Sequence, residues 1–380
     1  MRLPSRSSSL KTAARVVSSV DRDHPADVML RREFKSRRDL TQQEKTEVTR
    51  AVFSFFRWHG WLEGHWKNAD QIGKALELTQ RFAHRPETFS DEELVARALP
   101  EWAKEDMEIT PALARSLQAE PRLWLRAKRG QGAAVAKKLA DCRIFGPGDL
   151  SDTLEYRGLR DLFLTEEFHR GQFELQDLSS QAVGLICAPA PGQTWWDACA
   201  GEGGKLLHLS ELMQNRGLIW ASDRTSWRLQ KLKRRAARAQ VFNYRVVLWK
   251  GGPKLPTKTK FDGVLLDAPC SGSGTWQRNP DGRWTTRPED LRELSEIQNE
   301  LLANVAPAVK PGGKLAYAVC SLMRSETLLV AQTFQKRFSD FEPWEFPNPL
   351  ESGSSRRTQL ALQPNTFGGN AMFVAAWRRK

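Results

Sequence analysis

The sequence is poor in the residues that build covalent and metal cross-links. It has five cysteines in 380 residues, at positions 142, 187, 199, 270 and 320. An odd count with irregular spacing excludes a disulfide framework, and no C-x-x-C pair is present to hold a metal. The six histidines (His24, His59, His65, His84, His169 and His208) show no metal-ligand spacing, so no metal is expected. Few cysteines without a pairing pattern point to a reducing, cytoplasmic setting. No apolar run is long enough to span a membrane, and no signal-type apolar core is visible. Negative charge is also in short supply. Asp and Glu number 45 against 58 Lys and Arg, leaving a net charge of +13 and a pI near 9.7. That excess favours a polyanionic partner, most often nucleic acid, over a merely solvated basic surface.

What is present fits a globular chain of two or three domains. The first twenty residues are basic and Ser-rich, with no acid before Asp21. This pattern is open to a transit peptide, but Leu10, Ala13, Ala14, Val16, Val17 and Val20 fit the apolar face of an ordinary first helix. Residues 1–90 read as helical. Thr41 followed by Glu44 predicts a capping box, and Val48, Ala51, Val52, Phe55 and Phe56 recur at helical spacing behind it. Trp58, Trp61 and Trp66 are expected in the core, although an exposed one would stack on bases. Residues 91–175 are mixed. Arg122, Arg126, Lys128 and Arg129 are read evenly as phosphate contacts or as a solvated face.

From about residue 176, short apolar runs alternate with helical stretches. The runs are 193–200, 217–223, 244–249, 261–269, 314–321 and 371–377; the helical stretches include 204–214, 225–239 and 288–309. The last carries Leu291, Leu294, Ile297, Leu301, Leu302 and Val305 on one face and ends at Pro311-Gly312-Gly313, read as a helix stop feeding a strand. The alternation implies a doubly wound α/β sheet that binds ligands at the carboxyl ends of its strands. The first of these strands runs into ACAGEGGK (198–205). Its glycines, 201, 203 and 204, leave room for a ligand against bare backbone at a helix N-terminus. The pattern is not that of a P-loop. The second strand ends at Asp223, an acid placed to bind ribose hydroxyls or to cap the helix that begins near Thr225. A nucleoside-bearing cofactor fits.

Three segments resemble one family. FELQDLSSQAVGLICAPAPGQTWWDACAGEGGK (173–205), DAPCSGSGTWQRNPDGRW (267–284) and VKPGGKLAYAVCSL (309–322) are similar, in order and spacing, to the RsmB/Sun (NOL1/NOP2/Sun) RNA (cytosine-5) methyltransferases. The resemblance is strong over about 150–380 and weaker over 1–90. It implies an N-terminal all-α, NusB-like RNA-binding domain (1–90), a small RNA-binding linker domain (91–175) and a Rossmann-like methyltransferase domain (176–380). It also implies S-adenosylmethionine as cofactor, held by Cys199, Ala200, Gly201, Glu202, Gly203, Gly204 and Lys205, with Asp223 at the ribose and Asp267 near the methionine end and the target base. Two positions depart from the family. Glu202 replaces a proline of the glycine turn, and Trp249-Lys250 stands where a Gly-Asp is usual. The family's Glu-Asn after the second cysteine segment appears as Glu326-Thr327.

Cytosine C5 is a poor nucleophile. A thiolate adding to C6 makes the ring enamine-like, and a base must later remove the C5 proton so that the thiolate can leave. On this reading Cys320 attacks, Cys270 assists release, Asp267 hydrogen-bonds the cytosine edge and Lys205 orients Asp267 or a phosphate. Cys187 and Cys199 are expected to be small core residues. Arg278, Asn279, Pro280 and Asp281 are expected at an RNA cleft. The basic stretch Arg228, Lys231, Lys233, Arg234, Arg235 and Arg238 reads as a solvated face slightly ahead of an RNA contact. The expected substrate is ribosomal RNA, in particular that of the small subunit, and the expected enzyme is a monomer. A DNA cytosine-5 methyltransferase and a non-catalytic RNA-binding assembly factor are the competing readings.

Overall fold

A computed structural model describes residues 6–62, 69–146 and 148–380. The chain divides into two compact units: residues up to Pro121 together with Gly272–Asp290, and Arg122–Ser271 together with Leu291–Lys380. No helix among the described residues is long and apolar enough to cross a membrane.

The first unit is helical. Helices Arg6–Ser18, Gln42–Arg57 and Ala69–His84 pack together. They bury Ala13, Val16 and Val17 against the expected face of Val48, Ala51, Val52, Phe55 and Phe56; each large aliphatic or aromatic side chain so buried contributes roughly 1.5–3 kcal/mol. The capping box forms: the Thr41 hydroxyl accepts from Glu44 N–H, and Glu44 returns the bond to Thr41 N–H. Trp58 and Trp61 are core residues, whereas Trp66 lies outside the described residues.

The segment Gly272–Asp290 completes this unit around Arg283, which is fully buried. Its guanidinium donates to the carbonyls of Arg57, Ala98, Leu117 and Trp276. Three of those carbonyls lie at the ends of helices Gln42–Arg57, Asp91–Arg97 and Pro111–Gln118, where helical backbone has no acceptor partner of its own. The Asp281 carboxylate accepts from Ala26 N–H, at 2.9 Å, at the start of helix Ala26–Ser36.

The second unit holds two sheets. The smaller is antiparallel, with strands β1 (Leu123–Ala127), β2 (Cys142–Ile144), β3 (Thr153–Tyr156) and β4 (Phe173–Leu175) in the order β2-β3-β1-β4. The larger contains β5 (Thr194–Asp197), β6 (Leu218–Asp223), β7 (Tyr244–Leu248), β8 (Phe261–Asp267), β9 (Val309–Val319), β10 (Phe341–Pro343), β11 (Gln359–Leu362) and β12 (Met372–Arg379). Its order is β10-β12-β9-β8-β5-β6-β7, with β11 paired to β12. Strands β5 to β9 are parallel and β12 runs antiparallel to β9. With helices on both faces this is a Rossmann-like α/β sheet.

The adjacent Trp195 and Trp196 enter the cores on opposite faces of β5, as the two-residue period of a strand requires. Trp195 lies opposite Gly263 of β8, where a Cβ would stand 2.3 Å from the indole. One sequence expectation changes. Pro311-Gly312-Gly313 does not precede a strand but lies inside β9, and a register shift between Phe261 and Gly263 absorbs the irregularity.

Candidate active site

The parallel strands deliver two clusters at their carboxyl ends. The first is the glycine turn between β5 and helix Gly204–Leu212. Gly201 and Gly203 have φ of 54° and 89°. A Cβ on Gly203 would stand 2.7 Å from Leu232, whereas one on Gly201 would meet nothing within 4 Å. The backbone at Gly201 is therefore bare and faces open space, as a close-lying ligand requires. Gly201 N–H donates to Asp223 Oδ2 at 3.1 Å, and Thr225 N–H donates to Asp223 Oδ1 at 2.7 Å. Asp223 thus fastens the turn and the backbone of Thr225, just ahead of helix Ser226–Arg238, which carries no side-chain cap. Each carboxylate oxygen has two lone pairs, so acceptor capacity remains for hydroxyl groups.

The turn is braced from behind. Arg235 donates to the Glu202 carbonyl (3.2 Å) and pairs with Glu174 (2.9 Å). Gln176 donates to the Gly204 carbonyl (3.2 Å) and accepts from Arg126 (2.6 Å). The carboxylate of Glu202 pairs with Lys231 at 2.8 Å, so the charge that departs from the family pattern is neutralised at the rim. At the other departure, Trp249 is a core residue packed against Trp196, with ring centroids 5.0 Å apart and the planes tilted by 60°, and Lys250 is exposed. Nothing in the structure explains the lysine.

The second cluster lies at the ends of β8 and β9, where Asp267 is in register with Ala318 and Ala268 N–H donates to the Ala318 carbonyl. This places Cys270 Sγ 3.4 Å from Cys320 Sγ. Lys205, one residue into the helix that follows the glycine turn, reaches across to Asp267 Oδ2 at 2.7 Å, with the two side chains 10% and 30% exposed. Burial pulls the Lys205 ammonium down, but Asp267 outweighs it and the net shift is upward, so this lysine stays charged. The hydrogen bond from Cys270 is the main cause of a lowered Cys320 pKa; burial opposes it and the Lys205 charge assists it. Three other thiols move the opposite way. Burial pushes Cys187 up to about 12, Cys142 up to about 11, and Cys199 higher still. Only a thiolate is strongly nucleophilic, and the Cys270–Cys320 pair is where the surroundings favour one.

Beneath both clusters lies Asp197, the last residue of β5. It is fully buried, and neither carboxylate oxygen meets a hydrogen-bond partner among the described residues. Burial, with the Asp267 charge nearby, pushes it up to about 8.

These contacts reproduce three motifs, and a family model described as 16S rRNA methyltransferase RsmB/F matches residues 184–378. The chain belongs to the RsmB/F family. This family of methyltransferases uses S-adenosylmethionine as cofactor. Among curated relatives, the probable ribosomal RNA small subunit methyltransferase B of Synechocystis is 38% identical over 216 residues, covering 55% of this chain and 48% of that protein. That of Bacillus subtilis is 34% identical over 228 residues, covering 57% and 50%. The chain thus spans about half the length of these relatives. Among solved structures, that of PH0851 is 20% identical with a TM-score of 0.80 over the whole of both chains. A methyltransferase homologue from Pyrococcus horikoshii is 25% identical with a TM-score of 0.61, covering 71% of this chain and 90% of its own.

The residues expected at an RNA cleft belong to the helical unit. Pro280 and Asp281 are buried in the helical unit, and Asp281 holds a helix start there; Arg278 is half-buried and Asn279 exposed in the same segment. Arg126 is neither a phosphate contact nor a solvated residue. It is buried, ion-paired with Glu211, and held down to about 10 by desolvation. The basic helix Ser226–Arg238 is two-sided. Arg235 and Arg238 pair with Glu174 and Lys231 with Glu202, while Lys233 and Arg234 are exposed.

Sequence reasoning gave no role to Glu326 and overlooked Gln298. The Glu326 carboxylate is fully buried and accepts from Ser271 N–H (2.8 Å), Ser271 Oγ (2.5 Å), Ser321 Oγ (2.6 Å) and Gln298 Nε2 (3.0 Å). Gln298 Nε2 also donates to the Pro269 carbonyl (2.9 Å). The signal available was the family's Glu-Asn pair, seen here as Glu326-Thr327.

Proposed function

We propose that the chain is an S-adenosylmethionine-dependent methyltransferase that forms 5-methylcytosine in small-subunit ribosomal RNA. The observation that carries the reading is the pair of thiols 3.4 Å apart at the ends of β8 and β9, beside the Lys205–Asp267 ion pair. Among curated relatives, two named as probable ribosomal RNA small subunit methyltransferase B support the ribosomal substrate.

The residues present fit the cofactor. Gly201 offers a bare, open backbone face, Asp223 has acceptor capacity for ribose hydroxyls, and Lys205 and Asp267 close the methionine side. When bound, the cofactor supplies an electrophilic methyl group. Cys320 attacks C6 of the target cytosine as thiolate, which transfers electron density to C5. Asp267 accepts a hydrogen bond from the base edge, and Lys205 holds that carboxylate in place. Cys270 starts as the donor that favours the Cys320 thiolate. After methylation Cys270 gives up its own proton to solvent and, as thiolate, accepts the C5 proton, so that the C6–sulfur bond breaks and Cys320 leaves as thiolate by elimination. RNA is the partner of the two regions 1–90 and 91–175 in this reading, with the enzyme acting as a cytoplasmic monomer.

The test is incubation with labelled S-adenosylmethionine and RNA containing the small-subunit sequence. Cys320→Ala is expected to abolish methyl transfer, and Cys270→Ala to accumulate a covalent protein–RNA adduct. Full activity of Cys320→Ala, or an adduct trapped in it, overturns the assignment. Absence of cofactor binding by calorimetry supports a non-catalytic assembly factor instead.

A further inference from the structure

The two sulfurs sit on loops that leave different strands, and no covalent link sets their spacing. Cys270 is followed by Ser271, and Cys320 by Ser321. Both serines donate to one carboxylate, that of Glu326, and Ser271 adds its backbone N–H. The carboxylate is itself fixed. Gln298, from helix Pro288–Val305, donates to it and to the carbonyl of Pro269, the residue before Cys270. The Tyr317 hydroxyl lies 2.6 Å from the Glu326 carbonyl and 3.1 Å from Gln298 Oε1. A buried carboxylate accepting several hydrogen bonds is rigid, because each donor it loses leaves a costly unsatisfied group.

We propose that Glu326 is a positioning residue that sets the separation of the Cys270 and Cys320 sulfurs by tying together the residues that follow them. This rests on the reading that both thiols take part in the reaction. Glu326 acts through the two serines that follow the cysteines and forms no bond to substrate in this reading. Its effect is geometric: the donor thiol stays against the attacking one before addition and within reach of the adduct afterwards.

Length and charge make separable demands, which the test uses. Glu326→Gln keeps the length and two bridging atoms, and the serine hydroxyls can turn to accept from its amide. Glu326→Asp and Glu326→Ala cannot span both loops. A trivalent arsenical, phenylarsine oxide, reads the spacing directly: it condenses with two neighbouring thiols, expelling one water and leaving both sulfurs bonded to arsenic. In the full chain, arsenical affinity is expected to fall about ten-fold or more in the Asp and Ala variants, as bridging reagents lose avidity when spacing fails. It is expected to stay within about three-fold in Glu326→Gln. Calorimetric cofactor affinity should be retained in all three, and methyl transfer should fall in kcat rather than in KM. Unchanged arsenical affinity in the Asp and Ala variants overturns the proposal. So does an equal loss in Glu326→Gln with a raised Cys320 alkylation rate, because charge rather than reach is then what matters. If Glu326→Ala does not fold, Glu326→Asp and Glu326→Gln decide the question between them. Failure of the wild type to methylate RNA would count against the proposed function and leave the arsenical result standing.

Discussion

The glycine turn and the cysteine pair lie at the ends of neighbouring strands, yet they are held by opposite means. The turn at 198–204 must present backbone to a ligand, so its supports from behind reach carbonyls, while Asp223 takes one N–H, that of Gly201. Arg235 takes the Glu202 oxygen and Gln176 the Gly204 oxygen. The cysteine loops present side chains, and their support runs from side chain to side chain through a single buried carboxylate. A surface that must stay bare is positioned by what lies beneath it. Two reactive atoms that must meet are positioned by what their neighbours share. Lys205 belongs to both regions, since it follows the turn in sequence and pairs with Asp267 in space.

That shared residue gives the largest expected effect. Lys205→Met leaves Asp267 without its partner and removes a charge that favours the Cys320 thiolate. A displacement of this kind at a reacting centre costs about 100-fold. Methyl transfer should fall by about that factor, and the midpoint for Cys320 alkylation should move to higher pH. Alkylation as in the wild type would separate the two regions. Next comes Gly203→Ala, which forces a side chain into φ +89° and onto Leu232. The strain alone is about 1–3 kcal/mol. Cofactor affinity measured by calorimetry should drop about ten-fold, in line with that strain, while arsenical bridging of the cysteines stays as in the wild type. A parallel loss of both would show that the regions are one.

The third effect is on stability rather than on rate or binding. Asp197 carries its proton in the folded chain from about pH 4 up to about 8, because its folded pKa is raised from 3.8 to about 8. The folded state then binds more protons than the unfolded one, so this group's contribution is most favourable below that window and is lost as pH rises through it. Thermal melts at about pH 5 and about pH 9 should show Asp197→Asn pulling ahead of the wild type only at the higher pH. An equal difference at both values would show that Asp197 does not titrate there.

Much of this was legible from residue pattern alone. Thr41 and Glu44 announce a helix start because capping is local, and the alternation from 193 onwards announces the sheet because strand burial has a two-residue period. The glycine turn, Asp223 and both cysteines were found for the same reason: each lies at the end of an apolar run. What escaped was non-local. The strands at 142–144, 153–156 and 173–175 are too short to show a period, and their pairing depends on partners far along the chain. Arg126 looked like a surface cation in a basic stretch, but Glu211, 85 residues on, buries it. Pro280 and Asp281 look like a polar loop until Arg283 gathers the ends of three helices around that segment. Glu326 matched the first residue of the family's Glu-Asn pair, but its role could not be read because its partners come from three separate stretches.

The buried guanidinium of Arg283 also bears on timing. The helix ends that it satisfies precede it in the chain, the last of them, at Leu117, by 166 residues. During synthesis those carbonyls are made before the arginine that satisfies them, so the usual order in which an N-terminal domain finishes first leaves this unit without its buried guanidinium until then. The last event in closing the helical unit is the arrival of a segment that begins just after Cys270 has been laid down.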